Sequence, residues 1–117
     1  MAQRKVRLDK LSLSPCSLTR SMSIIGTKWK PVIIHTIHTN TLRFGQIAAM
    51  IPLISRKVLA NQLKELEEDG IINRRSFEEV PRRVEYSLHE KGLGLIPILK
   101  KVVDWNFKYE QEQVLTK

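Results

Sequence analysis

The sequence has a single cysteine and no long apolar run, and both shortages exclude whole classes of protein. Cys16 alone cannot form an intramolecular disulfide framework or assemble a structural zinc site. No apolar run approaches the ~18 residues that a membrane span needs. The first ten residues, MAQRKVRLDK, lack the apolar centre of a secretory signal. We therefore expect a soluble, cytoplasmic protein with no membrane role.

Recognisable catalytic motifs are also missing. The chain has no glycine-rich phosphate loop, no G-x-S-x-G nucleophile motif and no histidine and carboxylate pair at a recognisable spacing. His35 and His38, spaced i and i+3, can offer two metal ligands, but no third ligand cluster is visible, and a structural role is favoured. We expect a non-enzymatic protein with no metal and no cofactor.

Positive charge is what the chain has in excess. Its 117 residues include 20 Lys and Arg against 12 Asp and Glu, a formal charge of +8, which indicates an anionic partner. The length fits one domain, because compact domains cluster at roughly 100 to 150 residues. The charge is divided among several segments rather than along one amphipathic helix, which favours nucleic acid over a membrane surface.

The first half of the chain predicts a basic arm followed by three short helices. Residues 1–14 form the arm, which we expect to be flexible. LTRSMSIIG predicts a helix that ends at Gly26, and TKWKPVIIHTIHTN predicts a second helix capped by Thr27. A brief strand at 41–43 and a third helix, FGQIAAM, follow. The expected buried stripe of the second helix is Trp29, Val32, Ile33 and Ile37.

The stretch SRKVLANQLKELEEDG predicts a longer, amphipathic helix. Ser55 is a suitable N-cap, and Gly70 ends the helix. Leucines at 59, 63 and 66 recur at the spacing of one buried face. The opposite face is cationic near its start and anionic in its last two turns, so only its N-terminal half can approach a polyanion. That face carries Lys57, Asn61, Lys64 and Glu68.

The last third predicts a hairpin and a terminal helix. IINRRSF and RRVEYSL alternate as strands around the turn EEVP. A helix starts at about Glu90, with a kink or restart at Pro97. We assign 15–113 to one domain and 114–117 to a flexible tail.

This order of elements is mainly α with a small β-hairpin, the layout of a winged helix-turn-helix. A helix fits the major groove of duplex DNA, and a basic hairpin beside it can lie along the backbone or minor groove. The segments IIGTKWKPVII, LRFGQI, ISRKVLANQLKELEEDGIINRR and EVPRRVEYSLHEKG, in that order, resemble the HxlR-type winged helix-turn-helix transcriptional regulators of prokaryotes. The resemblance extends from Cys16 to about Tyr109.

The resemblance implies a homodimeric repressor or activator that binds double-stranded DNA, with dimerisation helices at both ends. A two-fold dimer predicts an inverted-repeat operator. Some members use a cysteine near the N-terminus as a sensor of oxidants or electrophiles, and Cys16 occupies the matching position; the alternative is a small buried hydrophobe near the dimer interface. The effector is unknown. The dimer-interface candidates are Leu18, Met22, Leu99, Val102, Val103, Trp105, Phe107 and Tyr109.

Two further sets of residues are candidates for DNA contacts. The base-reading candidates are Arg56, Lys57, Asn61 and Gln62, because Arg and Lys pair with guanine and Asn and Gln with adenine. The backbone or wing candidates are Arg43, Ser55, Lys64, Arg74, Arg75, Arg82 and Arg83. A solvated helix face is the alternative for the first set.

Some of these cations have other possible roles. Arg83 can instead pair with Glu85 or Glu78 across the hairpin. For Lys28 and Lys30 the two alternatives are contact with the flank of the DNA duplex and a simple solvent-exposed position on their helix. The rival function is a protein-interaction or assembly module that keeps the winged fold without binding DNA.

Overall fold

The structure of the protein, a computed structural model, describes residues 15–116. The expected basic arm at 1–14 lies outside the described residues. In chain order the elements are α1 Pro15–Ile25, α2 Lys30–Ile37, β1 Leu42–Arg43, α3 Phe44–Met50, α4 Arg56–Glu68, β2 Ile72–Phe77, β3 Arg83–Leu88, α5 Glu90–Leu93 and α6 Ile96–Thr116.

Helix α4 has well-defined signals at both ends. The Ser55 hydroxyl accepts a hydrogen bond from the backbone N–H of Val58 at 3.1 Å, which confirms the predicted N-cap. At the other end Gly70 adopts a positive φ of 74°, as predicted for the residue that stops the helix. The N–H groups of Gly70 and Ile71 donate to the carbonyls of Glu67 and Leu66, and so satisfy the last carbonyls of α4.

Helix α2 lies at the centre of the fold and contacts α1, α3, β3 and α6. Ile33 and Ile37 are fully buried as predicted, but Val32 is 39% exposed, and Ile34 is buried in its place. Helical geometry explains the correction, because positions i, i+1 and i+4 share one face and Val32 turns away from it. Trp29 packs against the edge of the core and is partly buried.

The core is built from branched aliphatic side chains. Within residues 15–116 every fully buried hydrophobic side chain is an isoleucine or a leucine. They come from α2, α3, α4, the turn between α3 and α4, and the sheet, and they form one cluster. The three leucines predicted to face inward from α4, Leu59, Leu63 and Leu66, are all part of it. The opposite side of α4 is therefore held toward solvent.

Three antiparallel strands in the order β1-β3-β2 complete the domain. The predicted hairpin of β2 and β3 is confirmed, with Ile72 opposite Leu88. The predicted brief strand is also confirmed, and it pairs with β3 so that Leu42 lies opposite Tyr86. This pairing attaches the start of α3 to the hairpin. We call β2, β3 and the loop 78–82 the wing, and the whole fold is a winged helix-turn-helix.

The C-terminal helical segment is interrupted just before Pro97, as the sequence predicts. Helix α5 ends at Leu93, and α6 begins at Ile96, with Pro97 in its first turn, where a missing N–H costs little. Helix α6 continues to Thr116, so residues 114–116, which we had assigned to a flexible tail, are helical. No glycine or proline interrupts the sequence from 98 to 116. None of the described helices has the length and apolar character needed to cross a bilayer.

The burial of α4 generates a stability prediction. Leu63→Ala removes a side chain that is 1% exposed, so we expect the free energy of unfolding to fall by about 2 to 5 kcal/mol. Leu53→Ala is the matched control, since Leu53 is 88% exposed, and its effect should be within about 0.5 kcal/mol. Urea denaturation followed by circular dichroism measures both. Equal losses in the two variants would contradict the assigned core.

Candidate nucleic-acid interface

The exposed face of α4 presents three unpaired polar side chains in its first three turns. Lys57, Asn61 and Lys64 are all exposed. Among residues 15–111, whose side chains the structure describes, none of the three makes a side-chain hydrogen bond or an ion pair. They lie opposite the buried leucines, so the core fixes the direction in which they point while their polar groups remain available to a ligand.

Exposed arginines also lie at the starts of α4 and α3. Arg56 is exposed, and its guanidinium carbon lies 5.7 Å from the centre of the Phe44 ring, at the start of α3. Arg43 is exposed immediately before α3, where its backbone N–H donates to Gln46 Oε1 at 2.8 Å. Ser55 is exposed too, although its oxygen already caps α4.

Gln62 is separated from this set. Its Oε1 accepts a hydrogen bond from the Thr27 hydroxyl at 2.9 Å, and the residue is only partly exposed. Gln62 therefore faces the segment between α1 and α2, although it is next to Asn61 in the sequence. A helix turns by about 100° per residue, which moves Gln62 toward the boundary of the buried face.

One acidic residue in the second half of α4, Glu65, forms an ion pair inside the protein that the sequence did not predict. The Lys30 ammonium lies 2.6 Å from Glu65 Oε1, and the Lys30 side chain is 4% exposed. We had expected Lys30 either to flank the duplex or to be solvated. The structure instead buries it in an ion pair with Glu65. The only signal in the sequence is the i, i+3 spacing of Gln62 and Glu65, which places both on the side of α4 that faces Thr27 and Lys30.

The wing contains one arginine that is held internally. Arg83 lies 3.4 Å from Glu79 and 3.3 Å from Glu85, and its guanidinium carbon is 3.9 Å from the centre of the Phe77 ring. The predicted alternative with Glu85 is therefore realised, whereas Glu79 takes the place expected for Glu78. The strand register explains the arrangement, because Phe77 lies opposite Arg83 and places the ring beneath the cation.

The other wing arginines are freer. Arg82 is exposed, and its Nε and Nη2 atoms lie 3.4 and 3.3 Å from the Ser76 hydroxyl. Arg74 is exposed, and Arg75 is exposed with its guanidinium carbon 4.9 Å from the Phe77 ring. In the described part of the chain no carboxylate pairs with Arg74, Arg75 or Arg82. The wing thus divides its arginines between internal bracing and an accessible set.

Apolar side chains cover the outer surfaces of α1 and α6. Leu18 and Met22 on α1 are 61% and 48% exposed. On α6 an apolar stripe at helical spacing is exposed, and the Trp105 and Tyr109 ring centres are 6.1 Å apart. Its members are Ile98, Val102, Trp105 and Tyr109, with Val103 and Phe107 beside them. Ile98 is not among the predicted interface residues, and Leu99 differs from the other candidates because it packs against the core.

The remaining candidates are Cys16 and the histidines. Cys16 is a free thiol in α1 and is exposed in the single chain. The His35 and His38 rings lie edge to face, 6.2 Å apart. Within residues 15–111, whose side chains the structure describes, no group of three or more His, Cys, Asp or Glu side chains is placed to hold a metal ion. His89 caps α5 by accepting a hydrogen bond from the Lys91 backbone N–H.

The fold and the exposed, basic face of α4 define a winged helix-turn-helix protein of the DNA-binding regulator class. Residues 24–114 match the HxlR-like helix-turn-helix family, and the chain belongs to this family. The family consists of transcriptional regulators, a non-enzymatic class.

Individual relatives agree with this assignment. The chain is 43% identical over 98 residues to an uncharacterised HTH-type transcriptional regulator of Methanothermobacter thermautotrophicus, covering 84% of this chain and 75% of that protein. It is similar to the redox regulator HypR in its oxidised form, with a TM-score of 0.73 and 35% identity over 80% of this chain and 96% of the other. The reduced transcriptional regulator YodB of B. subtilis gives a TM-score of 0.71 and 36% identity, with 80% and 90% covered.

Proposed function

We propose that the protein is a cytoplasmic, nucleoid-associated homodimer that reads an inverted-repeat DNA operator through α4 and represses or activates transcription there. The observation that carries this proposal is the unpaired polar face at the N-terminal half of α4. Lys57 and Asn61 are exposed there on a helix whose direction is fixed by the core. No carboxylate of the described chain competes with DNA for these groups.

The chemistry of this face suits the major groove. Lysine and arginine donate to guanine, and asparagine can both donate to and accept from adenine. We assign base reading to Lys57 and Asn61, with Arg56 beside them and Lys64 one turn further along. Gln62 is assigned a smaller part because its carbonyl oxygen already accepts from Thr27.

The charge gradient along α4 supports an approach by its N-terminal end. Glu67, Glu68 and Asp69 are exposed in the last turn and beyond it, where they would repel phosphates. The helix N-terminus carries the positive end of the helix dipole, and Ser55 caps it. We therefore propose that the last turn of α4 points away from the DNA backbone.

The wing supplies backbone contacts in this proposal. Arg82 and Arg74 are exposed and have no carboxylate partner among residues 15–111, so they are available to phosphate. Arg75 can supplement them from the same strand. Arg83 keeps the wing in shape through Glu79, Glu85 and Phe77, and it is a supporting residue rather than a phosphate contact.

Dimerisation through α1 and α6 accounts for the apolar surface of these helices. Trp105 is 63% exposed and Phe107 is 57% exposed, which is unfavourable for large apolar side chains in water. A second copy of the chain is the simplest partner for this apolar surface, since in a two-fold dimer the same surface of each subunit forms the interface. It would place two α4 helices about 34 to 36 Å apart, one turn of DNA.

Control through Cys16 is the finer part of the proposal. The thiol is exposed on α1, the same helix that presents Leu18 and Met22. A covalent adduct there would change the volume and polarity of a surface that we assign to the dimer. Similar proteins include a redox regulator, HypR, and YodB, which has also been solved with a bound quinone.

Selection from random DNA tests the main proposal. Purified protein is incubated with a pool of random duplexes under reducing conditions at near-physiological salt, and the bound fraction is sequenced after several rounds. We expect an inverted repeat whose half-sites are about one turn of DNA apart, because a two-fold dimer presents two identical α4 helices.

Analytical ultracentrifugation at micromolar concentration is the companion measurement and should give the mass of a dimer. A monomer, together with no enriched repeat, would contradict the proposal. That result would favour the protein-interaction module instead.

Two variants separate base reading from backbone contact. Asn61→Ala should lower affinity for the selected operator by about 5- to 150-fold and leave random DNA nearly unchanged, since one good base pair contact contributes about 1 to 3 kcal/mol. Arg82→Ala should weaken both DNAs and reduce the slope of log affinity against log salt by about 0.9. Fluorescence anisotropy over a salt series measures both. An equal loss for Asn61→Ala on both DNAs, or an unchanged slope for Arg82→Ala, would remove that residue from its assigned role.

Alkylation tests the role of Cys16. Iodoacetamide treatment should lower affinity for the selected operator in the wild type, because the adduct disturbs the α1 surface, and should have no effect on Cys16→Ser. Anisotropy and sedimentation are measured before and after treatment. If the modified wild type keeps both its dimer and its affinity, Cys16 is not a control point.

A further inference from the structure

We infer that a polar junction between α4 and the start of α2 sets the angle of the reading helix, and so determines which half-site spacing the dimer accepts. The junction consists of Thr27, Lys30, Gln62 and Glu65. The inference rests on the proposed function, because half-site spacing has meaning only for a dimer that reads an inverted repeat.

The four residues form a connected set. Thr27 donates its hydroxyl proton to Gln62 Oε1 at 2.9 Å, and its oxygen accepts from the Lys30 backbone N–H at 3.2 Å. The Lys30 ammonium then reaches Glu65 at 2.6 Å. The contacts to Gln62 and Glu65 fix two atoms of α4 relative to Thr27 and Lys30, and the contact between Thr27 and Lys30 connects the two.

Burial makes the Lys30 contact directional. Lys30 is 3% exposed, and an ammonium group at such a site is costly without a partner. Glu65 is the carboxylate that meets it in the described structure, and it remains half-exposed. A rotation of α4 about its axis, or a slide along it, would separate the pair and leave the buried charge unsatisfied.

The apolar core does not supply the same restriction. The side chains that α4 buries are all leucines, and they meet a surface of isoleucines and leucines. Hydrophobic attraction between such surfaces is non-directional, so the core determines which face of α4 points inward but restricts small rotations of the helix less sharply. Hydrogen bonds, in contrast, weaken steeply with misalignment. The junction is therefore the part of the α4 packing that selects one orientation.

The junction also links the reading helix to the proposed dimer surface. Thr27 follows Gly26 directly after α1, and α1 carries the exposed Leu18 and Met22. An altered angle between α1 and α4 changes the distance and the twist between the two α4 helices of a dimer. On DNA one base pair of spacing corresponds to about 3.4 Å along the axis and about a tenth of a turn. Thr27, Lys30 and Glu65 are thus positioning residues that touch no DNA.

The test varies the spacing between the two half-sites of the selected operator by up to two base pairs in each direction. Glu65→Gln removes the charge but keeps an oxygen near Lys30, and Thr27→Val removes the hydroxyl while keeping the shape of the side chain. Glu67→Gln is the matched control, because it makes the same charge change on α4 at an exposed side chain without an ion pair in the described chain. Circular dichroism and sedimentation establish that each variant is folded and has the wild-type oligomeric state.

We expect wild type and Glu67→Gln to bind one spacing preferentially. In Glu65→Gln and Thr27→Val the preference over neighbouring spacings should fall by about two- to tenfold, the range that one lost hydrogen bond of ordinary strength corresponds to. A purely stabilising role would lower the affinity for all spacings by one common factor and leave the preference unchanged.

The outcomes separate this inference from the proposed function. A sharp spacing preference in the wild type that persists in folded Thr27→Val would overturn the inference and leave the proposed function standing. If Glu65→Gln fails to fold, Thr27→Val still decides the question, because its contacts are at the exposed edge of the junction. A wild type with no preferred spacing would overturn both.

Discussion

The burial of one face of α4 is the constraint on which the rest of the molecule depends. Leu59, Leu63 and Leu66 join the isoleucines of α2 and α3 in one apolar cluster. Because a helix is rigid, burying that face holds Lys57 and Asn61 outward at fixed positions. The turn after α3 leads into this helix, and Ser55 caps its N-terminus. The wing contacts the helix through β2.

Charge is used in two different ways in this small domain. Some cations are satisfied inside the protein, namely Lys30 by Glu65 and Arg83 by Glu79 and Glu85. Others, such as Lys57 and Arg82, have no carboxylate partner among the described residues. The formal charge of +8 counts both sets of cations together, but only the second set is available to a polyanion. The acidic end of α4 is explained in part by the need to neutralise a buried lysine.

Periodic and local signals account for the elements that were predicted correctly. The leucine spacing of α4, the serine cap, the glycine with positive φ and the alternation in the wing each act over a few residues. The contacts that the sequence did not predict depend on distant partners. Gln62 meets Thr27 across 35 positions in the chain, and no local pattern identifies such a pair. Val32 was misplaced for a smaller reason, because one helical step decides which side of α2 it occupies.

By itself the sequence determined the order of the elements, the amphipathic reading helix and the family, because propensity, periodicity and motif order are properties of neighbouring residues. Only the tertiary structure decided which cations are free, because an ion pair requires two groups to meet in space. Arg82 and Arg83 are adjacent in the chain, yet Phe77 and two glutamates hold only the second. The same physical reason brought Lys30 and Glu65, two distant residues, into one buried contact.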